Sequence, residues 1–542
     1  MATMTTTIIH EIDEHNEDLA EEIDLDATNP QVTFYPPLFL QRRMWILDVL
    51  RRESVVNVLD VGCGEGQLLS VLAQPAPWLA PPPESVFPEQ ANHGEYSYKS
   101  DLPNLHARRI AGLDISAHDL DFAVKGTTPP SDSANEDDPY TYGVRVTRWE
   151  DLTAKVWKGG LQVINEEFVG VECIVCTEVI EHLPPDILPA LAPTLLGVYH
   201  PERLLLTTPS YTFNSRFTWP NSPRSVRLRQ AYADPTGRTN RIFRHDDHKF
   251  EWTPEEFAAW CREAAGEWGY EIEELAGVGR PLEQDPWGRD DELGDASLVV
   301  AFRRKEDGQQ ATRAERARSV LKALALPSEP HELLAEHQHK AHEKAGQQPT
   351  SDSIKLIGDM IKAKMESFRE AFISLEQMWF EQEVSALCGG WIEVMIWAVE
   401  EYDGLNLAKA SDGKEWSIEL VGGVKDPLVL WSSEGDSLDL IPADWIPGQD
   451  PEDLSDEDDR PSTSPPSSTG ADGDVSWNGS EIEEPDTTLT NEGEDHAAWA
   501  KEEWSQARGW GQTAQGWDEN KLKWGESQEW GACEDEPSVL EI

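Results

Sequence analysis

From residue 31 to residue 305, short apolar runs alternate with stretches of helical spacing. The runs are VVNVLDVG (55–62), ARRIAGLDI (107–115), YGVRVTRWE (142–150), VECIVCTE (171–178) and RLLLTTP (203–209). Strand and helix in alternation predict a parallel, doubly wound α/β sheet. A helical pattern, FYPPLFLQRRMWILDVLRR, precedes the first run and is entered through Pro36 and Pro37. Two Pro-rich or acidic stretches, about 74–105 and 126–140, interrupt the alternation and read as surface insertions. GYEIEELAGVG (269–279) and ASLVVAFRRK (296–305) then supply antiparallel edge strands that close the domain near Lys305.

Beyond 305 the period changes. Residues 313–402 hold apolar positions at three-and-four spacing on either side of a His-rich connector. Such helices need a partner face, so 306–446 reads as a mainly helical packing or scaffolding appendage, with WSIELV and PLVLWSS as a short hairpin. Residues 1–30 and 447–542 lack apolar periodicity and are expected to be disordered. Trp is the exception in the tail, at 477, 499, 504, 510, 517, 524 and 530, four of them beside Gly. A segment without a core has no packing use for seven indoles, so their recurrence suggests binding.

Charge narrows the partners. The 542 residues carry 45 Lys and Arg against 102 Asp and Glu, a net charge of −57, and residues 447–542 alone hold 26 acidic and 5 basic side chains. A generally basic nucleic-acid binder is excluded, and an anionic partner must meet a local patch. Between Arg203 and Lys249 the balance reverses, with 9 basic side chains against 3 acidic. Arg216, Arg224, Arg227, Arg229, Arg238, Arg241, Arg244 and Lys249 are the candidate phosphate contacts there, against the plainer readings of surface arginines or pairing with the acidic tail. SYTFN and FTWP add aromatics able to stack a base. The six cysteines are too scattered for a disulfide framework, and Cys173 and Cys176 in VECIVC read as buried strand positions rather than zinc ligands. No apolar run approaches membrane-spanning length and the N-terminus is acidic, so the expectation is a soluble cytoplasmic chain, with the nucleus also open.

VLDVGCGEG (58–66) is an apolar strand that carries Asp60 and runs into Gly62, Gly64 and Gly66. Glycines there let a backbone pass close to a ligand at the carboxyl end of the first strand. Asp114 in GLDIS ends the second strand and is placed to accept ribose hydroxyls, and Trp149, Glu150 and Asp151 are expected to end the third and line an adenine pocket. Acidic residues flanking the turn would repel a pyrophosphate. S-adenosylmethionine therefore fits better than a dinucleotide, and the reading is a class I methyltransferase.

The fourth run leads into CTEVIEHLPP, where Glu178, Glu181 and His182 stand at i, i+3 and i+4 and share one face if the segment turns helical. A cation would explain their proximity; a solvated helix start explains it almost as well. FRHDDHKFEWT (243–253) offers further ligands in His245, Asp246, Asp247 and His248.

With these motifs in hand, the chain resembles the 2′-O-methyltransferases that modify the 3′-terminal nucleotide of small silencing RNAs. FYPPLFLQRR (34–43), VLDVGCGEG, GLDIS, EVIEHL (178–183), TTPSYTFN (207–214), DHKFEWT (247–253) and GVGRP (277–281) occur in that family's order over about residues 31–305. The resemblance implies that Glu178, Glu181, His182 and His248 hold a divalent cation, Mg²⁺ or Mn²⁺, and act in catalysis. It also implies a ribose hydroxyl activated by that cation, with the vicinal 2′ and 3′ hydroxyls filling its open positions. Double-stranded-RNA-binding modules are not recognisable, which makes a single-stranded small RNA the expected substrate. The Gly-Trp and Trp-Gly units resemble segments by which silencing proteins bind Argonaute. Two rivals remain: a quinone-precursor type small-molecule O-methyltransferase, and a silencing adaptor that presents the Trp tail.

Overall fold

The computed structural model describes residues 30–87, 98, 103–130, 146–229, 231–327, 329–409 and 416–424. Both expected disordered termini and the Trp-containing tail lie outside the described residues, as does most of the 126–140 stretch.

Five strands follow the expected alternation: β1 (Asn57–Val61), β2 (Arg109–Asp114), β3 (Leu152–Lys158), β4 (Cys173–Thr177) and β5 (Arg203–Pro209). A two-residue ribbon follows, β6 (Tyr232–Ala233) with β7 (Ile242–Phe243), and then β8 (Tyr270–Val278) and β9 (Ser297–Arg304). With β10 (Glu332–His339) they form an eight-stranded sheet in the order β10-β3-β2-β1-β4-β5-β9-β8. The pairs among β1 to β5 are parallel, while β8, β9 and β10 run antiparallel to their neighbours. The order reverses between β1 and β4, and an open parallel sheet binds ligands outside the carboxyl ends of its strands at such a switch point.

Successive side chains leave opposite faces of a strand, and here both faces are covered. Leu59, Val61, Ile174 and Cys176 enter one apolar core, whereas Val58, Cys173 and Val175 enter the other. Cys173 and Cys176 therefore point away from each other into separate apolar layers, as buried strand positions should. The helix Pro254–Trp268 closes the first core. Thr253 and Glu256 cap its start reciprocally, and Gly269 ends it in the left-handed conformation.

Three sequence expectations change. The third strand is LTAKVWK (152–158), not 142–150; the described part of the expected run, residues 146–150, has no regular structure. The charged Lys155 and Lys158 obscure its apolar alternation, and Lys155 is met by Glu167 and Glu336. The sheet also continues past Lys305. The helix Gln310–Leu324 packs against the turn Pro193–Val198, burying Ala317, and β10 pairs along the edge of β3. Finally, the stretch from 74 is no detached insertion. Trp78 and Val86 enter a third core with the helices Ser351–Phe368 and Ile392–Glu400 and the small sheet β11 (Phe372–Ser374), β13 (Trp416–Leu420) and β12 (Leu405–Lys409). WSIELV is thus the central strand of that sheet. PLVLWSS lies outside the described residues.

Candidate functional site

The turn after β1 is built as its glycines suggest. Gly62, Gly64 and Gly66 all have positive φ, at 74°, 49° and 76°. A Cβ on Gly62 would strike Val179, and one on Gly66 would lie 2.6 Å from Ala123 Cβ, so neither position tolerates a side chain. Asp114 ties the turn to β2: one carboxylate oxygen accepts the Gly64 N–H (2.9 Å) and the other the Ser116 N–H (2.8 Å). Asp60 is buried beneath the turn. Burial, followed by the charge of Asp114, pushes its carboxyl up to about 7.

A cavity of about 500 Å³ opens at the carboxyl ends of β1 to β4, with Gly62, Asp114, Gly160, Gln162, Glu178 and His182 among its walls. Trp149, Glu150 and Asp151 are absent from it. The strand shift moves them to the amino end of β3, at the opposite edge of the sheet. There Trp149 packs against Trp379 and His342, Glu150 pairs with His106 and Arg108, and Asp151 accepts the Ala341 N–H. The third strand instead delivers Gly159, Gly160, Leu161 and Gln162 to the cavity. The Gly159-Gly160 pair just after LTAKVWK was the available signal.

The second half of the site hangs from β4. Glu178 sits at a left-handed φ of 53°, which turns the chain out of the sheet and into the short 3₁₀ turn Ile180–His182. Donor atoms of Glu181, His182 and His248 all lie within 4.8 Å of one another. Glu181 is fully buried. Its Oε2 accepts the Thr208 hydroxyl (2.9 Å), while its Oε1 has no partner among the described residues. Burial, with the neighbouring Glu178 charge second, raises the Glu181 carboxyl well above the usual range. His182 Nδ1 faces Asp247 (3.0 Å) and His248 Nδ1 faces Glu251 (2.6 Å). A carboxylate partner holds the proton on Nδ1 and leaves each Nε2 lone pair available to a cation. Burial, then His248, lowers the pKa of His182, which favours the neutral ligand form. Two imidazoles, a buried carboxylate with an orphan oxygen, and supporting carboxylates fit a transition ion such as Mn²⁺ better than the oxygen-preferring Mg²⁺.

Glu178 departs from the expected set of four. Its carboxylate is held by the Arg42 guanidinium and the Thr207 hydroxyl (2.8 Å), outside the three-residue group. Arg42, from the first helix, is its ion-pair partner. Glu251 escaped sequence reading despite its place in DHKFEWT. It is 1% exposed, and Asn214 as well as His248 bonds to it.

The arginine cluster divides. Arg216 is 1% exposed and locked to Asp285 and the Glu283 carbonyl, so it is a structural residue and not an RNA contact. Arg241 is committed to Glu256 through two nitrogens and lies over Tyr211, and Arg244 lies over Phe217 at 3.8 Å. Lys249 is paired with Asp247. Arg224, Arg229 and Arg238 are exposed and Arg227 is half-buried, on or beside the β6–β7 ribbon.

Residues 33–270 match the methyltransferase domain family. The chain is 25% identical over 301 residues to a small RNA 2′-O-methyltransferase of Rattus norvegicus, covering 55% of this chain and 60% of that protein. It is 31% identical over 293 residues to one of Xenopus tropicalis, covering 54% of this chain and 62% of that protein. A crystal structure of small RNA methyltransferase HEN1 matches 57% of this chain and 28% of that one, at 24% identity and a TM-score of 0.36. The chain thus spans less than two-thirds of the length of these relatives. It has a methyltransferase domain of the class I α/β fold, and over about half its length it resembles the small RNA 2′-O-methyltransferases.

Proposed function

We propose that this protein transfers the methyl group of S-adenosylmethionine to the 2′-hydroxyl of the 3′-terminal nucleotide of a single-stranded small RNA, with a divalent cation at Glu181, His182 and His248. One observation carries the reading: the cavity lined by Gly62 and Asp114 also reaches His182, so the start of the glycine turn and one member of the cation group border one space. When bound, the cation supplies Lewis acidity that makes a ribose hydroxyl more nucleophilic. The rest is done by the chain. The turn brings bare backbone to the cofactor, Asp114 is placed for the ribose hydroxyls, and Asp247 and Glu251 fix the tautomers of both imidazoles. Glu178 stands at the cavity wall, and we count it with the cation site on family resemblance alone.

Arg224, Arg227, Arg229 and Arg238 are our candidates for the RNA path. The Trp-Gly tail, as a tether to an Argonaute protein, and a cytoplasmic location belong to the same proposal. DHKFEWT and the exposed arginines speak against a small-molecule substrate.

The test is periodate resistance. Treated with purified protein, cofactor and Mn²⁺, a synthetic RNA with a free 2′,3′-diol should become resistant to periodate, and RNAs ending in 2′-deoxy or 3′-phosphate should accept no label from the cofactor. Transfer to a catechol but not to RNA would overturn the reading.

A further inference from the structure

The histidine-rich segment after residue 330 does more than extend the sheet. β10 runs antiparallel to β3 with Glu332 opposite Lys158, so His331 stands beside the carboxyl end of β3, where the chain enters the cavity wall. Its Nε2 lies 3.0 Å from the Gly160 carbonyl oxygen. A carbonyl only accepts, so the ring donates from Nε2. The ring also abuts Gly159, where a Cβ would strike it, and Phe168 backs it with ring centroids 5.9 Å apart. Gly159 in turn donates its N–H to the Asp114 carbonyl (2.8 Å), and Asp114 accepts the Gly64 N–H. A continuous set of contacts therefore runs from His331 through Gly160 and Gly159 to Asp114 and the glycine turn.

We infer that His331 is a positioning residue for the cofactor pocket: it pins the Gly159-Gly160 wall from outside the matched methyltransferase segment, so the appended strand sets cofactor affinity. Gly159 and Gly160 have no side chains to fix themselves, and two adjacent glycines lose the most conformational freedom on ordering. Without the donor and the ring on Gly159, that entropy falls on cofactor binding instead. The inference rests on the cavity being the cofactor site, as proposed above.

Calorimetric titration of the full chain with S-adenosylhomocysteine separates the two claims. No binding by the unaltered protein overturns the cofactor reading and this inference with it. If it binds, His331→Ala should weaken binding about tenfold, the scale of one buried hydrogen bond. The KM for S-adenosylmethionine should rise in step while kcat at saturation stays within about twofold. His331→Gln, which returns an N–H donor, should recover most of the loss. Gly159→Ala probes the contact from the other side without touching β10. It should weaken binding alone but add little in the His331→Ala background, where its clash is gone. Unchanged affinity in folded His331→Ala, or fully additive losses in the double variant, would overturn the inference.

Discussion

Residues whose role depends on backbone alone were the most legible. Gly62, Gly64 and Gly66 announced a turn because no other residue type takes those φ angles cheaply, and the structure places all three there. Side-chain partners were less legible, since they depend on which distant segments meet. Nothing near DHKFEWT marks Glu251 as the support of His248, and nothing in FLQRR marks Arg42 as the partner of Glu178. Glu393 is a sharper case. At the start of the helix Ile392–Glu400 it reads as an ordinary first-turn acid, yet it is 3% exposed and its Oε2 has no partner among the described residues. Burial raises its carboxyl from 4.5 to about 7. The folded state therefore holds the proton more tightly than the unfolded one, and this contribution to stability is complete below about pH 4.5 and lost as pH rises through 7. By linkage the loss is at most about 3 kcal/mol. Glu393→Gln mimics the protonated form. It is expected to melt with wild type at pH 5 and several degrees above it at pH 8, and equal melting at both pH values would show that Glu393 is solvated.

Elements were predicted well where apolar runs were unbroken and poorly where charge interrupted them. β1, β4 and β5 are apolar almost throughout and fall where expected. β3 is interrupted by two lysines, and the neighbouring run YGVRV, itself of strand character, drew the reading away from it. That single shift displaced Trp149, Glu150 and Asp151 from the cofactor site and hid Gly159 and Gly160. From its own sequence the helix Gln310–Leu324 reads as an appendage, because it carries only a modest apolar face. It belongs to the methyltransferase core because Gly197 lets it approach: a Cβ on Gly197 would lie 2.5 Å from Ala317 Cβ and 2.9 Å from Trp268. Gly197→Leu should force that helix away from the turn Pro193–Val198 and cost about 2 to 4 kcal/mol, the range of overpacking with partial loss of core burial. Denaturant unfolding would read this as a lower midpoint, and Ala317→Gly should partly restore it. A midpoint unaffected by Gly197→Leu would mean that the helix packs only loosely.

At the scale of the molecule, composition excluded a basic protein but could not say which of its few cations remain available. The sequence counted Arg216, Arg224, Arg227, Arg229, Arg238, Arg241, Arg244 and Lys249 alike. Folding sorts them by whether a carboxylate is brought within reach, as Asp285 is for Arg216 and Glu256 for Arg241. The exposed cations of this stretch lie around the β6–β7 ribbon, on a chain whose net charge of −57 repels polyanions at long range. Long-range repulsion and short-range phosphate contact respond oppositely to salt: screening weakens the first, while counterion release makes the second fall steeply as salt rises. RNA affinity should therefore pass through a shallow maximum with ionic strength and then decline. Replacing Arg229 and Arg238 with Ala is expected to reduce the declining slope by about 1.4, near 0.7 for each lost single-strand phosphate contact. Arg216→Ala should instead lower the unfolding midpoint, because it removes a buried guanidinium that joins Asp285 to the Glu283 carbonyl and leaves Asp285 with Arg289 alone. Fluorescence anisotropy of a labelled 3′ end across a salt series checks the first claim and a melting curve the second. A slope unmoved by the double substitution would take the RNA off this ribbon.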